Sequence, residues 1–462
     1  MKTISKVLRN IFNVSNSTDK RHKIITILGI KIKVKRYIKR AIERYKHYKL
    51  MNDKSLYVGI PDNLTLQLCF NNDCNCRCKF CYAGIAKNKS EVRVMPENWL
   101  YGDFKELYPK TSHIVPTDAE ITFKKEGYEY LKFIHENYPH INIFIESNGI
   151  AFDDKWAQLA SENLMRVNFS VNAINEEYFK KTVWHKNGLF PTIQKNIEHY
   201  IEILKEKQLF AFKPLVSSVI NSTNYETIEE FVTYWISKGL QQIVFFFDTN
   251  ENEVYQLYKS KDKSLVNEVV IKLFELERIF KGKVNLGWQL FIPIDNVGYF
   301  RNLVYKKDIQ EIKTKYPKLV KLIKDFDTLD ELYVQRTRLR KERGKKEYTY
   351  YEDITNVTYH QKIKNGYSIC SNPWHHLRLK PNGDFAQCSW VGYPENLNKY
   401  IENGHINWIK VFNCEYFREL RQNFICRDYS WKSMGGGHCM PNCPSSSYIT
   451  SAEFMDLYTF KG

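Results

Sequence analysis

Between about residue 60 and residue 250 the sequence alternates strand and helix six times, and that alternation leaves few folds open. Strand-type runs fall at 64–70, 113–115, 141–146, 165–171, 210–219 and 242–247. Helical patterns at 126–138, 191–205 and 225–238 lie between them. Repeated strand–helix units predict a parallel sheet. Right-handed crossovers curl such a sheet into a barrel or part-barrel. The expected fold class is α/β, a partial (β/α)6 TIM-like barrel, with its site at the C-terminal ends of the strands.

A cysteine loop follows the first of these strands. It reads Cys74-Asn-Cys-Arg-Cys78-Lys-Phe-Cys81-Tyr82, a C-x3-C-x2-C spacing with aromatics around the last cysteine. Three thiolates in one loop can hold three irons of a cubic [4Fe–4S] cluster and leave the fourth open to a second molecule. A site with three protein ligands keeps a position for chemistry, whereas four close it. Zinc is the alternative, with Cys76 as fourth ligand, although zinc knuckles favour C-x2-C pairs. Cys69 and Cys76 stand outside the three-cysteine register and read as buried bystander thiols.

Charge divides the chain unevenly. Residues 1–50 carry 15 Lys/Arg against 2 Asp/Glu, a net of +13 within a total of +17. Residues 31–35 alternate as a strand, and 36–50 show helical spacing at Tyr37, Ile38, Ile42 and Tyr45. This basic extension fits peripheral docking on anionic lipid or on an acidic partner. It equally fits the solvated basic face of a packed helix. The basic stretch ending at 336–346 reads as an exposed helix or linker, with Asp and Glu interspersed before it, and not as a nucleic-acid site. The eleven cysteines are odd in number, no secretory signal is visible, and no run approaches the roughly 18 apolar residues of a membrane span. The expected location is the cytoplasm, with the inner membrane face as a peripheral station.

The cysteine loop, with Phe80 just before its last cysteine, resembles the signature of the radical S-adenosylmethionine (SAM) enzymes. That resemblance implies a [4Fe–4S] cluster on Cys74, Cys78 and Cys81, with SAM chelating the open iron. It further implies reductive cleavage of SAM to a 5′-deoxyadenosyl radical that abstracts hydrogen from substrate, with an electron donor such as flavodoxin or ferredoxin. Other family positions match in part. Glu120 keeps the carboxylate of a Gly-Gly-Glu-like turn whose glycines are absent in Pro116-Thr-Asp-Ala-Glu120. Asn148, in Glu146-Ser-Asn-Gly149, is similar to a Thr-Asn-Gly turn, and Ser170 and Asn172 to a Ser-x-Asp segment near the ribose. The implied cofactor contacts are therefore Tyr82, Glu120, Asn148, Ser170 and Asn172. Each of these turns except the one fixed by Tyr82 also fits an ordinary strand end, since Asn and Gly favour turns.

The last ninety residues resemble the SPASM or twitch extension of the same superfamily. Cys370, a turn at Gly383 and Cys388 match its opening, and Cys426, Cys439 and Cys443 follow. The longer cysteine run of a full SPASM domain is missing. The expectation is one auxiliary [4Fe–4S] cluster on Cys370, Cys388, Cys439 and Cys443, with Cys426 as substitute. A structural zinc is the alternative.

The expected organisation is a basic extension (1–58), a radical SAM partial barrel (59–290), a charged helical linker (291–366) and a small cysteine-rich auxiliary-cluster domain (367–462). The expected function is a radical SAM oxidoreductase or epimerase acting on a sugar or amino sugar. That choice follows from the single auxiliary cluster and from a leader at 23–33 resembling those of bacterial enzymes in surface-polysaccharide loci. Two alternatives stand beside it, a maturase acting on a ribosomally made peptide and a non-catalytic metal-binding scaffold. No residue for proton transfer at the substrate stands out among the many Trp, Tyr and His.

Overall fold

The structure is a computed structural model. It describes residues 58–81, 83, 85–183, 189–247, 263–289, 297–345, 375–387 and 392–426, together with three N-terminal strands. Those strands are β1 (Phe12–Asn16), β2 (His22–Ile27) and β3 (Ile30–Lys35), an antiparallel meander in the order β1-β2-β3. The strand expected at 31–35 is therefore present, and the helix expected at 36–50 lies outside the described residues. The chain divides into two compact units. One comprises Met1–Gly59 with Phe412–Gly436, the other Ile60–Val411 with Gly437–Gly462. In the first, the Asn413 side chain clasps the backbone of Val58, donating to its carbonyl at 2.8 Å and accepting from its N–H at 2.9 Å.

The second unit is built on one sheet. Its parallel strands are β4 (Leu64–Leu68), β5 (Thr111–Pro116), β6 (Asn142–Ser147), β7 (Arg166–Ser170), β8 (Leu215–Ile220), β9 (Gln242–Phe247) and β10 (Asn285–Gln289). Six of them stand where the sequence places them. β8 starts later than expected, because Lys213-Pro214 follows a 3-10 turn at Phe210–Phe212. Proline holds the residue before it extended and cannot donate to the ladder. β10 is a seventh parallel strand that the sequence did not announce.

The other edge is also extended. β11 (His376–Leu379) lies parallel to β4, and β12 (Asp384–Ala386) and β13 (Glu395–Asn396) continue antiparallel. Gly383, at φ 90°, makes the turn between β11 and β12. β11, β12 and β13 thus belong to the barrel sheet itself, whose order is β10-β9-β8-β7-β6-β5-β4-β11-β12-β13. A small ribbon, β14 (Ile401–Glu402) with β15 (His405–Ile406), follows.

Alternation along the strands gives the sheet two unlike faces. One carries Leu64, Leu66, Ile143, Val167, Phe169 and Phe245, all buried. Helices Phe190–Glu206 and Ile228–Ser237 pack there. Tyr200 and Phe231 meet Phe169 and Phe245 at ring-centroid distances of 6.4 and 5.6 Å. The other face is polar and includes Gln67, Glu146, Asn168, Ser217 and Arg378. A parallel sheet covered on both sides reads apolar throughout. The polar second face is that of a part-barrel with a polar interior.

The basic stretch near 336 departs from its expectation. It forms helix Leu329–Glu342, opened by a Thr328/Glu331 capping box. Arg336 and Arg340 are buried, not solvated. Arg336 donates twice to the Ala211 carbonyl, at 2.8 and 3.0 Å, and both guanidiniums lie near the Phe212 ring. A cation that fills the carbonyls of a turn and stacks on an aromatic has a reason to leave water. Lys345 likewise donates to the Ile141 carbonyl and Asn163 Oδ1, and burial draws its ammonium down to about 7. Replacing Arg336 by Ala leaves a buried carbonyl without these donors. The expected loss is about 1–3 kcal/mol in urea unfolding, with Arg336→Lys intermediate.

Candidate functional site

The cysteine loop leaves the C-terminal end of β4 and is fastened before it turns. Cys69 N–H donates to Leu379 of β11, and the Asn71 side chain accepts from Asp73 N–H at 2.7 Å. Asp73 in turn accepts from Cys74 N–H at 2.9 Å and pairs with Lys124 at 2.7 Å. Within the loop the Cys74 sulfur accepts from Cys76 N–H at 3.3 Å, and Cys81 N–H bonds the Cys78 carbonyl at 3.1 Å. The Cys76 thiol bonds toward Cys74, which draws the Cys74 thiol below its ordinary value and lifts Cys76. Burial, followed by the neighbouring Cys78, pushes Cys81 up to about 11. Cys76 is buried as expected, as is Cys69, whose thiol burial and Asp118 raise to about 12.

Glu120 organises the turns around this loop. It is 3% exposed, and both carboxylate oxygens are engaged. Oε1 accepts from the Thr122 hydroxyl at 2.6 Å, the Ser147 hydroxyl at 2.9 Å and Thr122 N–H at 3.3 Å. Oε2 accepts from Asn148 N–H at 2.6 Å. Its own N–H bonds the Asp73 carbonyl at 3.2 Å. The carboxylate thereby ties the turn after β5 to the turn after β6, and the backbone N–H ties the residue to the root of the cysteine loop. Burial raises its acid, and these bonds oppose that.

Asn148 then reaches across. Its amide donates to Asn75 Oδ1 at 2.6 Å and toward the Cys74 sulfur at 3.7 Å. Gly149, at φ 80°, lets the turn close, since a Cβ there would sit 3.2 Å from Ile193 and 3.4 Å from Phe169. Asn172 is buried and accepts from Val219 N–H at 2.7 Å, stitching β7 to β8. Ser170 is exposed at the end of β7. Of the expected cofactor contacts, Glu120 and Asn148 thus meet the cysteine loop directly, Ser170 ends the next strand, β7, and Asn172 follows it. Tyr82 lies outside the described residues. So do Cys370, Cys388, Cys439 and Cys443, while Cys426 ends helix Glu415–Cys426 with its side chain undescribed.

The residues suit a cluster. Amide donors to a ligating sulfur, as from Asn148 and Cys76, are the kind of outer contact that tunes iron–sulfur sites. Among the described residues no three His, Cys, Asp or Glu side chains converge as ligands of one ion would. A tetrahedral zinc needs its sulfurs within about 4 Å of one another, whereas cube thiolates each serve a separate iron.

Residues 68–234 match the model of the radical SAM superfamily. The chain carries a radical SAM domain. Homologues of this domain bind a [4Fe–4S] cluster and S-adenosylmethionine. Among curated relatives, the FeMo cofactor biosynthesis protein NifB of Methanocaldococcus jannaschii is 31% identical over 121 residues, 24% of this chain and 40% of NifB. The cysteine-type anaerobic sulfatase-maturating enzyme of Clostridium novyi is 24% identical over 226 residues, 45% of this chain and 57% of that enzyme. The chain therefore spans well under two thirds of these relatives. Among solved structures, Streptococcus suis SuiB bound to S-adenosylmethionine is 13% identical with a TM-score of 0.48, over 83% of this chain and 72% of SuiB.

The polar face of the sheet also holds residues that carry no sequence signal. Asp118, Glu146, Arg378 and Tyr393 gather on the polar face. Glu146 keeps some solvent access but is deeply set. Burial first, then the charge of Asp118, lifts its carboxyl to about 7, while Asn168 and Arg378 oppose this. No motif marks these positions, and Arg378 is over two hundred residues from Asp118 and Glu146 in sequence.

Two measurements test the site. Glu120→Ala strands the Thr122, Ser147 and Asn148 donors and is expected to cost about 2–4 kcal/mol in urea unfolding, with Glu120→Gln milder. Glu146 is more acidic in the unfolded chain than in the folded one. The folded state therefore holds its proton longer, and stability falls as pH rises from about 4.5 to about 7. Relative to Glu146→Gln, the wild type is expected to lose melting temperature between pH 5 and pH 8. A constant difference across that range would show that Glu146 titrates normally.

Proposed function

We propose that this protein is a radical SAM enzyme in which Cys74, Cys78 and Cys81 hold a [4Fe–4S] cluster and the turns at Glu120, Asn148, Ser170 and Asn172 seat S-adenosylmethionine. The observation that carries this is the fastening of the cysteine loop to the first two of those turns, through Glu120 N–H on Asp73 and Asn148 on Cys74 and Asn75, with the Glu120 carboxylate joining the two. When bound, the cluster supplies an electron that cleaves SAM to a 5′-deoxyadenosyl radical able to take hydrogen from a substrate. The chain's own part is to orient and enclose. Asn148 donates toward the sulfur, Glu120 keeps two turns in register, and the polar face of the sheet offers hydrogen-bonding groups to a polar substrate. Tyr82 belongs to the same seat by its place after Cys81.

For the substrate, oxidation or epimerisation of a sugar-type molecule fits that polar face and the leader at 23–33. Modification of a peptide or protein is at least as well supported, since the sulfatase-maturating enzyme is a sequence relative over nearly half of this chain. An auxiliary cluster on Cys370, Cys388, Cys439 and Cys443, with Cys426 as substitute, would take the electron left on an oxidised substrate in either case. A flavodoxin- or ferredoxin-type donor and peripheral docking of the basic residues 1–50 complete the proposal. Among the described residues no helix is long and apolar enough to cross a membrane.

Anaerobic reconstitution with iron and sulfide, followed by SAM and dithionite, tests the proposal. The expected result is roughly eight irons per chain and release of 5′-deoxyadenosine. Cys74→Ala/Cys78→Ala/Cys81→Ala should lose about half the iron and all cleavage, and Cys370→Ala/Cys388→Ala about half the iron alone. A fully loaded protein that leaves SAM intact would overturn the enzyme proposal. Full iron in the second variant would overturn the auxiliary site.

A further inference from the structure

The turn that seats Glu120 contains a strained residue. Asp118 has φ 74°, in the left-handed region that side chains with a Cβ avoid and glycine enters freely. The family resemblance places glycines here, and this chain has Thr117-Asp118-Ala119. Asp118 therefore keeps the glycine-type backbone without being glycine. Such strain persists only where the surroundings over-determine it.

The surroundings are specific. The Asp118 carboxylate is paired with Arg378 of β11, and both side chains are buried, at 7% and 6% exposed. Tyr393 donates to the same carboxylate at 3.0 Å. The Tyr393 ring in turn faces the Arg378 guanidinium at 4.7 Å and the Lys380 ammonium at 4.0 Å. Asp118 also faces Glu146, whose charge opposes its own, and the Cys69 thiol, which its charge holds in the neutral form. The turn is held at each end as well. Thr117 N–H donates to the Leu68 carbonyl at 2.9 Å, and Glu120 N–H to Asp73 at 3.2 Å. Between these anchors the Asp118 side chain is held by Arg378 of β11 and by Tyr393.

We propose that Asp118 and Arg378 are positioning residues for the S-adenosylmethionine seat, the pair holding the 117–120 turn in its glycine-like conformation so that a strand 260 residues downstream completes the site. The proposal rests on the assignment of that turn to SAM in the preceding section. Its consequence is that SAM binding depends on β11 being docked, although β11 contributes nothing to the cysteine loop's own ligands.

The test uses reconstituted, iron-loaded protein and equilibrium dialysis of SAM, with iron content and melting temperature as checks on folding. Arg378→Met should raise the Kd for SAM by about tenfold or more, because Asp118 then relaxes out of the left-handed region. Asp118→Gly/Arg378→Met should return the Kd to within about threefold of wild type, since glycine adopts that φ unaided. Asp118→Ala/Arg378→Met should stay weak, because alanine keeps the Cβ and has no carboxylate to hold. The two double variants decide the matter even if Arg378→Met alone folds poorly. Equal recovery in both would show that only the orphaned charge mattered and would overturn the proposal. Wild-type affinity in Arg378→Met would overturn it too. Failure of the wild-type holoprotein to bind SAM would instead remove the SAM assignment beneath it.

Discussion

The two turns beside the cysteine loop are joined by one buried carboxylate. Glu120 has no water to solvate it, and a lone carboxylate in such a place would give up its charge. It is instead met by hydroxyls of Thr122 and Ser147 and by backbone N–H groups of Thr122 and Asn148. Because those donors come from two different strand ends, satisfying the carboxylate also sets the spacing between them. Asn148 leaves this arrangement with its side chain free to reach Asn75 and Cys74. The loop's geometry thus follows from a hydrogen-bonding requirement located outside the loop.

The sheet supplies the second constraint. Its strands alternate between an apolar face, covered by helices carrying Tyr200 and Phe231, and a polar face carrying Gln67, Glu146 and Arg378. Both faces are buried, so the ionisable groups of the polar face are kept by pairing with one another. Glu146 and Asp118 stand close enough there to oppose one another's charge, and Arg378 moderates both. β11 brings Arg378 into this interior by pairing with β4, which extends the sheet past its first strand.

Much of this was legible in the sequence. The strands 64–68, 142–147 and 242–247 announce themselves through continuous apolar or alternating runs, and the cysteine spacing is local by nature. Three things were not. β10 carries Gly287 in its middle and polar residues at both ends, so its pattern is weak. Arg336 and Arg340 look like a solvated charge run because only the fold brings Ala211 and Phe212 beneath them. Asp118 looked like the loss of a glycine motif. The structure shows the glycine-type backbone retained, stabilised by a partner that no local pattern could reveal. Local chemistry is readable from spacing, whereas pairings between distant segments are not.

The central claim is that the open corner of a cluster on Cys74, Cys78 and Cys81 is where S-adenosylmethionine binds. Electron–nuclear double resonance on the reduced, reconstituted protein with SAM labelled by nitrogen-15 at its amino group tests this most directly. Hyperfine coupling of that nitrogen to the cluster, lost in Cys78→Ala, is the predicted result. Bound SAM whose labelled nitrogen shows no coupling would contradict it.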